Sequence, residues 1–170
     1  MISSAALMSQ PALIDGFEFA AAAAKRQGVW AVSDFPRLRD LLASDTGEIR
    51  YEIEGVSDSR GRPALRVRLN GALQLRCQRC LEPMRFDLDS DEILVLAATQ
   101  AEIDAEPVDP EAPDRLLAAE EVRVRDLLED ELILALPYAP RHEGCEAGAA
   151  AGDSEKISPF AGLRGMLRKH

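Results

Sequence analysis

The order of hydrophobic and polar residues changes period along this chain. "GFEFAAAAAKRQGV" carries a run of helix formers, Ala20 to Gln27, and then Gly28, which predicts a short helix ending at that glycine. "SDFPRLRDLLAS" follows, with Ser33 or Asp34 as a cap and Pro36 in the first turn. Its Phe35, Leu38, Leu41 and Leu42 are at helical spacing, so a second short amphipathic helix is expected. The period then becomes two. "GEIRYEIEGV" sets Ile49, Tyr51 and Ile53 on one face and Arg50, Glu52 and Glu54 on the other, the pattern of a half-buried strand. "SDSRGRP" reads as a turn, and "ALRVRLNGALQLRC" alternates through Leu65, Val67 and Leu69. That run meets Asn70-Gly71, a hairpin or bulge signal, and resumes with Leu73 and Leu75. "MRFDLD" turns Met84, Phe86 and Leu88 inward, and "DEILVLAAT" reads as a more fully buried strand.

The second half is less regular. "TQAEIDAEPVDPEAPDR" mixes prolines and acids without a sustained pattern, which predicts a flexible acidic surface loop over about residues 99–115. "VRVRDLLEDELILALP" predicts a helix capped by Asp126 with Glu129 three residues on, burying Leu127, Leu128, Leu132, Ala135 and Leu136 and stopped by Pro137. The Gly, Ala and acid-rich stretch at 144–157 is expected to be disordered. The basic tail "SPFAGLRGMLRKH" places Phe160, Leu163 and Leu167 at helical spacing, too short to be a stable helix alone. Strands joined by short connections imply an α+β fold: a curled, mainly antiparallel sheet or partial barrel with a few short flanking helices. A length of 170 residues suits one such domain, 1–170.

Composition adds a constraint on partners. The chain carries a formal net charge of -10, which opposes long-range attraction to nucleic acid. The charge is unevenly spread. Arg60, Arg62, Arg66, Arg68, Arg76, Arg79 and Arg85 face a single acid, Glu82, between residues 60 and 85, whereas the span from Phe86 to Glu131 is strongly acidic. Arg66 and Arg68 share one strand face, and Arg76 and Arg79 flank a cysteine turn, so these four with Arg85 are candidates for contacting RNA phosphates or a partner. The competing reading is a solvated sheet face ion-paired with the surplus acids. No aromatic residues interleave with the arginines. No stretch has the length and apolarity of a membrane helix, and "MISSAALMSQPALIDGFEF" lacks a signal peptide's basic and apolar regions, so a cytoplasmic protein is expected.

Two of the three cysteines lie in "RCQRCLEPM", a C-x2-C step between strands, and "PRHEGC" supplies His142 and Cys145 after the last helix. Cys77, Cys80, His142 and Cys145 have the ligand types of a structural Cys3His zinc site, making Zn2+ the candidate cofactor. Small buried thiols without metal are the alternative. A redox pair of thioredoxin type ranks last, since its C-x-x-C opens a helix and here a strand resumes. No nucleophile elbow, metalloprotease motif, phosphate loop or dinucleotide fingerprint occurs, and no nucleophile is placed for His142 to serve, so no enzyme activity is expected.

Together, "LIDGFEFA", "DFPRL", "CQRCLEPM", the acidic loop, "VRDLLEDELILALPYAPRHEGC" and "SPFAGLRGML" resemble, in that order, the YceD family of bacterial large ribosomal RNA subunit accumulation proteins. The resemblance implies a non-enzymatic role in making or maintaining 23S ribosomal RNA, and so in assembly of the large ribosomal subunit. It also implies ribosomal RNA or a large-subunit ribosomal protein as partner, with no membrane and no small-molecule substrate. Some relatives carry further cysteines near the positions of His142 and Cys145, an arrangement like a zinc ribbon. Two readings follow: RNA contact through the arginine face, or docking of a basic ribosomal protein on the acidic half without RNA contact.

Overall fold

The two-residue period of the central chain produces three long neighbouring strands, β4 (Glu48–Ser57), β5 (Pro63–Arg76) and β6 (Pro83–Ala97), after three shorter ones. The computed structural model describes residues 13–107, 109 and 112–145; the segment 146–157 and the basic tail, for which disorder and a marginal helix are expected, lie outside the described residues. Before the long strands come β1 (Leu13–Ile14), α1 (Gly16–Ala21), β2 (Lys25–Ala31) and β3 (Leu42–Ser44). After them come α2 (Gln100–Asp104), β7 (Arg115–Leu117), β8 (Val122–Arg123) and α3 (Val124–Ala135). The main sheet runs β2-β4-β5-β6-β7, with β3 also pairing β5, and it is open rather than closed into a barrel. Every pairing is antiparallel except β6 with β7. A separate two-stranded sheet joins β1 to β8.

One sheet face carries Ile49, Ile53, Leu65, Val67, Leu69, Leu73, Leu75 and Leu88, all buried. Leu127, Leu128 and Leu132 of α3 join them in one core with Phe35 and Leu38. The opposite face is polar, as strand alternation requires.

Asn70-Gly71 makes neither hairpin nor bulge. β5 runs straight through it, pairing Gly71 with Ile49 on one side and Leu88 on the other. Leu69 and Leu73 lie in the same phase, and a Cβ on Gly71 would sit 2.8 Å from the Glu48 carbonyl oxygen, so close strand approach explains the glycine.

The first helix also differs from expectation. It begins earlier, at Gly16, where the Asp15 carboxylate accepts from Glu18 N–H at 2.9 Å. Ala23 then turns the chain at φ 45°, and Lys25 to Gln27 enter β2 instead of continuing a helix. An alanine run this short has little helical stability alone, so pairing with β4 prevails. Gly28 is mid-strand, where a Cβ would meet the Tyr51 ring at 2.9 Å.

The second expected helix is replaced by 3-10 turns at Val32–Asp34 and Arg39–Leu41. Phe35, Leu38 and Leu42 are buried as their pattern demands, but Leu41 is exposed. The physical reason lies outside the segment: the N–H groups of Arg37 and Leu38 donate to the Glu129 carboxylate of α3, not to carbonyls one helical turn back. Asp126 does not cap α3 either. The helix starts at Val124 with Arg123 in the cap position and no side-chain cap bond, leaving Asp126 in the first turn. Within the acidic stretch, Thr99 caps α2 by accepting from Glu102 N–H at 3.3 Å.

Candidate functional site

Two tight turns bring distant parts of the chain together. β5 ends by delivering Cys77 to a hairpin whose backbone closes twice, Cys77 N–H to Glu82 O at 3.0 Å and Leu81 N–H to Cys77 O at 2.9 Å. The return requires the left-handed region at Leu81, φ 65°, an uncommon conformation for a branched side chain. After α3, the chain leads back to this hairpin, and Gln78 N–H donates to Pro140 O at 2.8 Å. A second turn forms there, with Cys145 N–H donating to His142 O at 3.2 Å and Gly144 at φ 67°. Arg79 Nη1 donates to the Cys145 carbonyl and ties one turn to the other.

The ligand atoms of Cys77, Cys80, His142 and Cys145 all lie within 4.8 Å of one another. Cys77 Sγ is 3.8 Å from Cys145 Sγ, and Cys80 Sγ is 3.4 Å from His142 Nδ1. A tetrahedral zinc ion with sulfur at about 2.3 Å and nitrogen at about 2.0 Å sets its ligands about 3.5–3.8 Å apart. The donor set fits that ion. His142 Nε2 donates to Pro83 O at 3.1 Å, so the neutral ring keeps its Nδ1 lone pair for the interior of the cluster. The Cys77 thiol is pulled down to about 5 by N–H groups of Cys80, Arg79 and His142 around its sulfur. Burial and the neighbouring sulfurs of Cys80 and Cys77 push Cys145 up to about 11. The Pro83 carbonyl, followed by Cys77, holds His142 above the ordinary imidazole value. Three sulfurs and one nitrogen on two turns make a closed ligand set of the structural kind, with no position left for a substrate.

The arginines are arranged differently. Arg66 makes a two-point pair with Asp91, Nε to Oδ1 at 2.6 Å and Nη2 to Oδ2 at 2.5 Å. Arg68 bonds Glu52 and reaches Asp91 at 3.4 Å and Glu54 at 3.9 Å. Arg85 pairs with Asp87 at 2.6 Å. All three belong to the polar sheet face, where β4 and β6 carboxylates neutralise Arg66 and Arg68 from the neighbouring strands and Asp87 neutralises Arg85 from its own strand. Arg66 in turn holds Asp91 below the usual carboxylate range. Arg76 and Arg79 stand apart, at the cysteine turn, separated from Arg68 along β5 by Asn70, Ala72 and Gln74. The structure therefore brings the four metal-ligand candidates together and divides the five arginines into a paired group and a smaller group at the turn.

Two glutamates of α3 have roles other than the sequence pattern suggests: Glu129, expected in the cap signature with Asp126, serves a distant segment instead, and Glu131 was not singled out. Glu129 is 2% exposed and accepts from Arg37 Nε at 2.9 Å as well as from the two backbone N–H groups. Arg37 also reaches Asp130 at 2.6 Å, so the 3-10 segment is fastened to α3. Glu131 is 6% exposed, and its signal was present: it falls in the apolar stripe Val124, Leu127, Leu128, Ala135 where a leucine would be expected.

This arrangement can be set beside known proteins. A family model described as "Large ribosomal RNA subunit accumulation protein YceD" matches residues 65–167. A curated protein of Haemophilus influenzae (strain ATCC 51907 / DSM 11121 / KW20 / Rd), named "Large ribosomal RNA subunit accumulation protein YceD", is 26% identical over 152 residues, covering 84% of this chain and 87% of the relative. No solved structure matches the chain. The matched span takes in β5, β6, both cysteine turns and α3, well over half of the 170 residues, and the chain belongs to the YceD family.

Proposed function

We propose that this chain serves, without catalysis, in the accumulation of 23S ribosomal RNA and the assembly of the large ribosomal subunit by docking a basic ribosomal protein through its acidic half. The name of the H. influenzae relative supports the process. The observation that favours protein over RNA as the direct partner is the pairing of Arg66, Arg68 and Arg85 with carboxylates. A guanidinium already paired with a carboxylate must give that partner up before it can displace counterions from a phosphate. With a net charge of -10, the remaining surface repels a polyanion and attracts a cationic protein.

The cysteine turns take a supporting role in this reading. One Zn2+ held by Cys77, Cys80, His142 and Cys145 clasps the segment after α3 to the end of the β5–β6 hairpin. The ligand spacing supports this. A second reading keeps direct RNA contact through Arg66, Arg68, Arg76, Arg79 and Arg85. It is favoured by Arg76, which makes no ion pair among the described residues, and by Arg79 beside it at the turn.

Gentle purification of the protein from cells, with and without ribonuclease, tests the proposal. A basic large-subunit protein that stays bound after the RNA is digested is the expected result. Loss of every ribosomal protein on digestion, with RNA retained in the untreated sample, sinks the docking reading and favours the second.

A further inference from the structure

A cleft of about 480 Å³ opens where β6 passes the last turn of α3. Asp89, Asp91 and Glu92 line it from β6, Glu131 and Leu134 from α3, and Asp114 also lines it. Asp91 is occupied with Arg66 and Arg68. Glu131 differs from its neighbours. It is 6% exposed, it lines the cleft, and among the described residues no group donates a hydrogen bond to it or pairs with it. Its carboxylate oxygens are not sealed off, since Arg115 Nε is the buried side-chain polar atom without a partner among the described residues, so water in the cleft supplies what solvation they have and no protein donor does. Its carboxyl is pushed up to about 7 by burial, then by the charges of Asp114, Glu92 and Asp130, all of which a cation in the cleft would offset.

The shape of the site selects the kind of cation. Among the described residues the cysteine and histidine cluster is the group whose ligand atoms converge on one ion, and the cleft carboxylates do not. Carboxylates spread around a cleft suit a group with several donors on a long stem. The α3 side of the rim is apolar, with Ala135 beside Leu134, which is 70% exposed. Such a rim covers the methylenes of a lysine or arginine while the charged head goes inward.

We propose that this cleft receives a lysine or arginine side chain of a basic polypeptide, with Glu131 as its ion-pair partner and Leu134 packed on its stem. The inference rests on the docking reading above and places it on the surface.

The test is an amide-resolved NMR titration of the full-length protein with an acetylated glycine–arginine repeat peptide at about 50 mM salt, where screening is moderate. Shifts centred on Glu92, Asp114, Glu131 and Leu134 are expected. Affinity should fall about tenfold in Glu131→Gln/Glu92→Gln, the order of loss for a desolvated charged contact. Leu134→Ser, a change at an exposed site, should weaken binding with an undisturbed spectrum elsewhere. Shifts confined to residues 99–107, an unchanged affinity in the double variant, or no binding overturns the cleft. Equal displacement of the peptide by spermidine or Mg2+ at matched ionic strength would show a diffuse charge effect and also overturns it. The docking reading fails separately: if a basic ribosomal protein co-purifies equally with the double variant, docking stands and the cleft falls. If the wild type retains no such protein after ribonuclease while the peptide still fills the cleft, docking falls and the cleft stands.

Discussion

Glu131→Gln should stabilise the protein at pH 8 and do much less at pH 5. The wild-type carboxyl has its pKa raised from 4.5 to about 7 by burial and by Asp114, Glu92 and Asp130. Between those values the folded chain binds more protons at this position than the unfolded chain, so unfolding free energy falls as pH rises. The stabilising contribution of the neutral carboxyl is full below about 4.5 and gone above about 7. A shift of this size converts to about 3 kcal/mol at about 1.4 kcal/mol per pKa unit. Solvent reaching the carboxylate through the cleft reduces this to about 2 kcal/mol. Glutamine keeps the shape and removes the titration, so the difference between variant and wild type at pH 8, minus that at pH 5, should be about 2 kcal/mol. Subtraction cancels any packing change common to both pH values. Urea unfolding of both proteins at each pH, with zinc held constant, provides the measurement, and equal m-values license the comparison. The wild type should also melt about 5 °C lower than the variant at pH 8. Stability curves that run parallel across this range would refute the account of Glu131 as a buried carboxylate without a counter-charge.

Substitutions at three further positions probe the rest of the structure. Cys80→Ala should lose metal entirely by native mass spectrometry, where the wild type purified without chelator should carry one Zn2+ per chain; a folded, metal-free wild type would remove the clasp. Gly55→Ala should cost about 3 kcal/mol in urea unfolding, because its Cβ would fall 2.2 Å from the Phe19 carbonyl oxygen and 2.7 Å from Ala20 Cα, both backbone atoms. A loss below about 1 kcal/mol would mean α1 can shift away from β4, contrary to the packing described. Glu129→Ala should cost about 3 kcal/mol by leaving the N–H groups of Arg37 and Leu38 without their acceptor, and Glu129→Gln, which keeps one carbonyl oxygen, should cost less; equal losses would contradict the acceptor role.

The sheet was legible because its cause is local. Ile49, Tyr51 and Ile53, then Leu65 to Leu75, alternate regardless of what surrounds them, and that alternation fixes which face is buried. The helices near the N-terminus were not legible, because their alternatives are decided at a distance. Lys25 to Gln27 became strand when β4 offered a hydrogen-bonded edge, and the Arg37 segment left helical geometry when Glu129, 92 residues away, supplied an acceptor. Asn70-Gly71 misled for a related reason: its dipeptide suits a turn, but what the site required was an absent Cβ beside Glu48. The four metal-ligand candidates could be named from residue type, although only the fold shows that the 61 residues between Cys80 and His142 bring them back together. The arginine block looked like a positive face because composition counts charges along the chain. Register counts them across it, and there Asp91 and Glu52 stand beside Arg66 and Arg68, while Arg85 pairs along its own strand with Asp87, just past the end of the block.

The docking reading meets its most direct test in a side-by-side binding measurement: purified protein against 23S ribosomal RNA, and against the basic proteins of the large subunit, in the same buffer over a range of salt. The account predicts saturable, salt-sensitive binding to at least one basic protein and no comparable affinity for the RNA. Tight RNA binding that weakens when Arg66, Arg68, Arg76 and Arg79 are replaced, with no basic protein bound, would contradict it.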